Sequence, residues 1–163
     1  MDSKYISLFE DSLLPTQDYL EDYKLFNVFY SFFHNKEKNL PIVPIREHPS
    51  REDKYLVLDG HHRITIAGLF NKEINCFVAQ SKYDLMDEEE ENPGDNFYFG
   101  GNPFNNIFSR WNDVLYFESL LDVPKTFKDL RFQYSFLKNV DIAKDYFKAR
   151  GFDLEKRVNL SDN

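Results

Sequence analysis

Apolar residues recur at three- and four-residue intervals from Tyr19 onward, at Leu20, Tyr23, Phe26, Phe29 or Tyr30, and Phe33. That spacing lines one face of a helix and predicts one, with Asp18 as its cap. Asn39, Pro41 and Pro44 break the rhythm around a β-branched run at 41–45. This run reads as a strand at a sheet edge, because proline has no N–H to give to a ladder. Charge and Pro49 make 47–53 a turn, and a second strand covers 55–58 and stops at Asp59 and Gly60. From His61 the period is helical again, with Ile64, Ala67 and Leu69 or Phe70 on one side, and 74–79 is another apolar strand. Residues 55–79 therefore read as strand, helix and strand, which predicts a compact parallel crossover at the centre of the fold.

Seven carboxylates and no Lys or Arg lie between Asp84 and Asp95. They read as an exposed helix end or a surface loop, closed by Asn92, Pro93 and Gly94. Residues 97–104 mix aromatics with Gly and Pro and predict an irregular segment packed by its own rings. Ile107, Trp111, Val114 or Leu115, and Leu121 then mark an amphipathic helix ended by Pro124. Thr126 suits the N-cap of a following helix that holds Phe127, Leu130, Tyr134 and Leu137. A last helix over 142–150 ends at Gly151, a residue suited to a left-handed C-terminal cap. The expected fold is α/β (α+β), one domain over 1–163, with a small mixed sheet and a helical C-terminal half. Its parts are a core at 1–80, an acidic loop at 81–96 and a helical part at 97–163.

Composition narrows the class. With 163 residues, 42% apolar and 17% aromatic, the chain has the material for a real core, which excludes disordered and collagen-like classes. The single cysteine, Cys76, has no internal disulfide partner and lies in an apolar strand, where it reads as a small core residue. No basic-then-apolar leader follows Met1 and no apolar run has the length of a membrane span, so a cytoplasmic address and no membrane partner are expected. Basic residues number 20 against 28 acidic, a net charge of −8. Most of that excess sits in the carboxylate run, and no basic run stands elsewhere to displace counterions from a duplex. Duplex DNA is therefore not an expected partner.

The stretch that carries chemistry is Asp59-Gly60-His61-His62-Arg63, where a strand runs straight into a helix. Such a junction gathers free backbone N–H groups, two imidazoles and a guanidinium at the positive end of a helix, a natural seat for phosphate. Asp59 at its rim makes sense if Mg²⁺ lies between its carboxylate and the phosphate oxygens. On residue types alone, a plain tight turn with Arg63 reaching solvent is the favoured reading. Adjacent histidines point about 100° apart on a helix, so His61 and His62 are poor joint zinc ligands. Trp111 reads either as core or as a ring that caps a base.

The same pentapeptide, with the strand before it, Ala67-Gly68-Leu69-Phe70 after it, the strand at 74–78 and Pro41-Ile42-Val43 upstream, resembles the signature of the ParB/sulfiredoxin superfamily. The resemblance covers about 5–79. It implies that Gly60, His61, His62 and Arg63 bind nucleotide phosphates. Sulfiredoxins carry a reactive Cys in this turn, where His61 stands here, and chromosome-partitioning ParB proteins need basic DNA-facing surface. The motif is most similar to that of the ParB-like free-serine kinases, whose early Pro-Thr-Glu supplies a base. The corresponding segment is Pro15-Thr16-Gln17-Asp18, in which Thr16 matches and Gln17 replaces the Glu.

The resemblance implies a phosphotransferase that uses ATP or ADP with Mg²⁺ on Asp59 and acts on a small hydroxylated metabolite such as serine. Thr16 would assist with phosphate, and Gln17 or Asp18 would stand at the base position. An amide has no accessible basic pKa, so either Asp18, Glu21 or Asp22 substitutes for Gln17 or the reaction depends on positioning and charge neutralisation more than on a base. The alternatives are a non-catalytic, nucleotide-binding regulatory protein and a nucleic-acid-associated ParB-like protein or nuclease.

Overall fold

The computed structural model describes residues 4–85 and 104–158. The expected α+β class is what it contains: a five-stranded mixed sheet and, among the described residues, five α-helices. The strands are β1 (Lys4–Leu8), β2 (Leu13–Leu14), β3 (Val43–Glu47), β4 (Tyr55–Val57) and β5 (Ile74–Val78), in the order β1-β5-β3-β4-β2. The helices are α1 (Asp22–Phe33), α2 (His61–Leu69), α3 (Phe104–Ser119), α4 (Phe127–Phe132) and α5 (Val140–Ala149). No helix among the described residues is long and apolar enough to cross a membrane.

The inner strands of the sheet are covered on both faces, which explains why they read as near-continuous apolar runs. Val43, Ile45, Val57, Ile74, Cys76 and Val78 point into the larger core, with α1, α2, α4 and α5. The alternate residues Leu56, Leu58, Phe77 and Ala79 point the other way, under Val114, Trp111 and Leu115 of α3. Residues from both halves of the chain therefore share the larger core.

Two expectations about the sheet are corrected. The strand at 41–45 is not an edge; β3 lies inside the sheet, between β5 and β4. Pro44 is tolerated there because its carbonyl accepts from Leu58 N at 2.9 Å, so its hydrogen-free nitrogen faces the side on which β4 has already ended at Val57. The unit at 55–79 is not a parallel crossover either. β3 separates β4 from β5, antiparallel to the first and parallel to the second, so β4 and β5 run in opposite directions.

The helices also differ in their ends. α1 starts at Asp22 with Glu21 as N-cap, not at Asp18, because the approach is held extended from outside. Leu20 N donates to the Tyr134 hydroxyl at 2.9 Å and Glu21 N to His62 Nε2 at 3.0 Å. The face that α1 buries is Leu25, Phe26, Phe29 and Phe32. α3 stops before Leu121, which is 95% exposed, and the Lys125 ammonium bonds the Glu118 and Leu120 carbonyls that the helix end leaves open. Thr126 caps α4 by accepting from Asp129 N at 3.0 Å, but α4 ends at Phe132, and Tyr134 and Leu137 lie beyond it. α5 ends as expected, with Gly151 at φ +91° and Phe152 N bonded to Phe147 O at 2.9 Å. Residues 86–103, which hold all of the aromatic segment except Phe104, lie outside the described residues.

Two long-range ties hold these layers. Glu10 and Arg131 form a two-pronged ion pair, Oε1 with one guanidinium nitrogen and Oε2 with the other at 2.8 Å, over Gly68 of α2. The segment after α5 lies along α1: Asn27 exchanges two hydrogen bonds with the Val158 backbone, at 3.1 and 2.7 Å, and His34 Nε2 meets the Leu154 carbonyl at 2.6 Å.

Candidate functional site

β4 ends in the second core, the chain turns at Asp59, and α2 begins at His61. Gly60 makes that turn at φ +98°, where an L side chain is strained, and an added Cβ would stand 2.9 Å from a Val43 methyl carbon. No side chain caps α2, and the N–H groups of His61, His62 and Arg63 have no acceptor among the described residues. Free donors at a helix start are the arrangement that anion sites use.

Thr16 and His61 lock together behind this turn. Thr16 N donates to His61 Nε2 at 2.8 Å, which leaves that nitrogen bare and the ring proton on Nδ1. The Thr16 hydroxyl gives its one hydrogen to the Val57 carbonyl at 2.5 Å and accepts from Arg110 at 2.7 Å. The hydroxyl is thus engaged within the fold. His61 is only 2% exposed, and burial pulls its pKa well below the ordinary value, helped by Arg110 and His62. His62 uses Nε2 to accept from Glu21 N, and burial, with Lys24 beside it, brings its pKa down to about 4 against the smaller opposing pull of Glu21. At neutral pH both rings are uncharged. Their hydrogen bonds position the turn and the start of α1.

Arg63 is buried too. It is 7% exposed, and its guanidinium donates to the Pro41 carbonyl, tying α2 to the segment that enters β3. It serves the fold. Two charges outside the pentapeptide act on the turn. Arg110, on α3, bonds Thr16 and is electrostatically coupled to Asp59, as is Lys24 on α1. Nothing in the local sequence marks Arg110, because its role comes from the packing of α3. That packing is held by its neighbour Trp111, whose ring lies 4.0 Å from the Arg46 guanidinium and whose carbonyl accepts from it at 2.5 Å.

Asp59 is the carboxylate of the site. Burial raises its pKa, while the Gly60 N–H, Arg110 and Lys24 pull the other way. Among the described residues no three His, Cys, Asp or Glu converge, so there is no all-protein metal cage. Mg²⁺ is commonly held by one or two carboxylates with phosphate oxygens and water completing the shell, and a single Asp59 meets that need. Of the other expected residues, Gln17 turns its amide onto the Tyr19 carbonyl at 2.8 Å. The Asp18 side chain is exposed.

No protein-family model, no curated protein and no solved structure matches the chain.

The imidazoles make the site acid-sensitive, with a definite sign. Their folded pKa values lie below the unfolded one, so the unfolded chain takes up their protons first. The stability they contribute is complete above about pH 6.5 and falls as the pH drops from there, for His62 towards about 4. Asp59, with its raised pKa, works in the opposite direction at the acid end. Thermal melts between pH 7 and 4.5 are expected to show falling stability, and His62→Gln is expected to flatten the fall. An unchanged melting temperature across that range would mean the rings are not buried as described.

Proposed function

We propose that the turn from Asp59 to Arg63 binds the phosphates of ATP or ADP and that the chain is a phosphotransferase acting on a small hydroxylated metabolite such as serine. The observation that carries this reading is the set of three unpartnered N–H groups at the start of α2, with Arg110 and Asp59 beside it. The resemblance of this turn to the ParB/sulfiredoxin superfamily belongs to the same proposal. The backbone donors take phosphate oxygens, and Arg110 and Lys24 offset their charge. Asp59 holds Mg²⁺, which when bound adds charge neutralisation and orients the donor. Phosphoryl transfer depends chiefly on such positioning and electrostatics, which suits a site of this composition.

Calorimetric titration with ATP and ADP, with and without Mg²⁺, tests the reading. Arg110→Gln is expected to weaken binding about ten- to a hundredfold, the usual worth of a charge-assisted hydrogen bond. Absence of nucleotide binding to the wild-type chain would remove the proposal. Unchanged affinity in Arg110→Gln would remove Arg110 from the site. A second reading, a nucleotide-binding regulatory protein without turnover, is favoured by one feature, the amide at Gln17, which has no basic site for a proton.

A further inference from the structure

Arg46 is a charge that neither the core nor the turn at Asp59 accounts for. It stands opposite Leu56 in the ladder between β3 and β4, on the face of the sheet that carries Leu14, Leu58 and Phe77. Burial lowers its pKa, no carboxylate among the described residues pairs with it, and its Nε has no acceptor there. A leucine or methionine at this position would cover the same apolar surface without the cost of desolvating a guanidinium. What the guanidinium adds is direction. It stacks on the Trp111 ring at 4.0 Å and donates to the Trp111 carbonyl at 2.5 Å, which fixes where this point of α3 lies along β3 and how the helix is turned. Arg110 precedes Trp111 and therefore points about 100° round the helix. With Trp111 set on the sheet, Arg110 reaches Thr16, at 2.7 Å to the hydroxyl and 3.4 Å to the carbonyl, and is coupled to Asp59. A second tie lies two turns further along α3, where His48 Nε2 meets Glu118 Oε1 at 2.9 Å.

We propose, building on the phosphate-binding reading, that Arg46 is the positioning residue of the nucleotide site: by gripping Trp111 it sets the rotation of α3 that brings Arg110 to Thr16 and the turn. Val114 and Leu115 hold α3 against the sheet by apolar packing, which is non-directional, so a helix seated by them alone is free to roll or slide. A roll of about 20° moves a side-chain end that lies about 5–6 Å from the helix axis by about 2 Å, more than a hydrogen bond tolerates. Arg110 would then remain part of the folded protein and miss the phosphate. The His48–Glu118 tie keeps the far end of α3 in place when the Arg46 guanidinium is removed. The effect of that removal is therefore expected at Arg110, not in the docking of the whole helix.

The test is calorimetric titration of the whole chain with ATP and Mg²⁺ in a cycle of Arg46→Met, Arg110→Gln and the double variant, with Trp111 emission recorded for each. Arg46→Met is expected to weaken ATP binding about tenfold, the low end of what a charge-assisted hydrogen bond is worth. In the Arg110→Gln background the same change is expected to cost less than about twofold, because Arg46 acts only through Arg110. Trp111, the one tryptophan, is expected to change its emission in Arg46→Met and to keep it in Arg110→Gln. Glu118→Gln, which loosens the other end of α3, is expected to bind ATP like the wild type. Where Arg46→Met folds poorly, Arg46→Leu takes its place in the cycle. Wild-type affinity in the Arg46 variant, an equal loss with and without Arg110, or an equal loss in Glu118→Gln would overturn the assignment. Unchanged Trp111 emission in the Arg46 variant would overturn it too. Each of these results leaves the nucleotide site standing, whereas a wild-type chain that binds no nucleotide removes the earlier reading and this one with it.

Discussion

Phe147→Ala is expected to cost about 3–5 kcal/mol of folding stability, the range for emptying a large aromatic site in a packed core. Phe147 is fully buried, and its ring meets five others: Phe26 at 5.4 Å, Phe29 at 5.2 Å, Phe136 at 5.8 Å, Tyr146 at 5.7 Å and Phe152 at 5.8 Å. Those rings come from α1, from the turn before α5, from α5 itself and from the segment after it. No single neighbour can swing in to refill the space without leaving its own place. At about 2–4 °C per kcal/mol for a chain of this size, the melting temperature should fall by roughly 6–20 °C. Urea unfolding followed both by far-UV dichroism and by the fluorescence of Trp111, the one tryptophan, makes the measurement. Trp111 sits on the opposite side of the sheet, so coincident curves would also show that both layers unfold together. A loss below about 1 kcal/mol would mean that α5 is not docked on α1 as described.

The second large effect is expected at the Glu10–Arg131 pair. Both side chains are mostly buried, 17% and 13% exposed, so Glu10→Ala leaves a guanidinium out of water with no counter-charge. Breaking such a pair from one side costs about 3–5 kcal/mol, whereas replacing both partners by apolar groups is often close to neutral. Glu10→Leu with Arg131→Met is therefore expected to be more stable than either single change. Equilibrium unfolding of the four proteins in the cycle measures the coupling. Additive losses would show that the two charges do not depend on one another. Gly68 belongs to this arrangement through its missing side chain, because a Cβ there would collide with both charged groups.

What the sequence makes legible is what is decided within a few residues. The turn at Asp59 and Gly60, the helix that follows, the Thr126 cap and the Gly151 terminus all depend on local backbone chemistry, and each sits where the pattern puts it. The order of the strands does not, since it depends on which apolar run finds which partner. Pro44 misleads because its rule concerns a missing donor, and here β4 ends before that donor is needed. β1 escapes notice for a related reason: its alternation of exposed Tyr5 and Ser7 with Ile6 and Leu8 is short, and its meaning comes only from pairing with β5. At the site, the residue types in the turn were visible and their ionisation was not. Histidine in a sequence is a group that titrates near pH 6.5; His61 inside this fold is a neutral acceptor, because burial disfavours its charged form. Arg110 was invisible, since only the seating of α3 brings it to Thr16.

The Asn27 grip on Val158 ties a helix near the start of the chain to a segment made much later. During synthesis, at about 5–20 residues per second, α1 emerges early and waits on the order of ten seconds for residues 152–158. Over that interval the aromatic side of α1 has no native cover from Phe147 and Phe152, and a nascent chain in that condition is a natural client for holding chaperones. The placement of Glu21 and Lys24 at the front of α1 is thus completed late, by closure at its back.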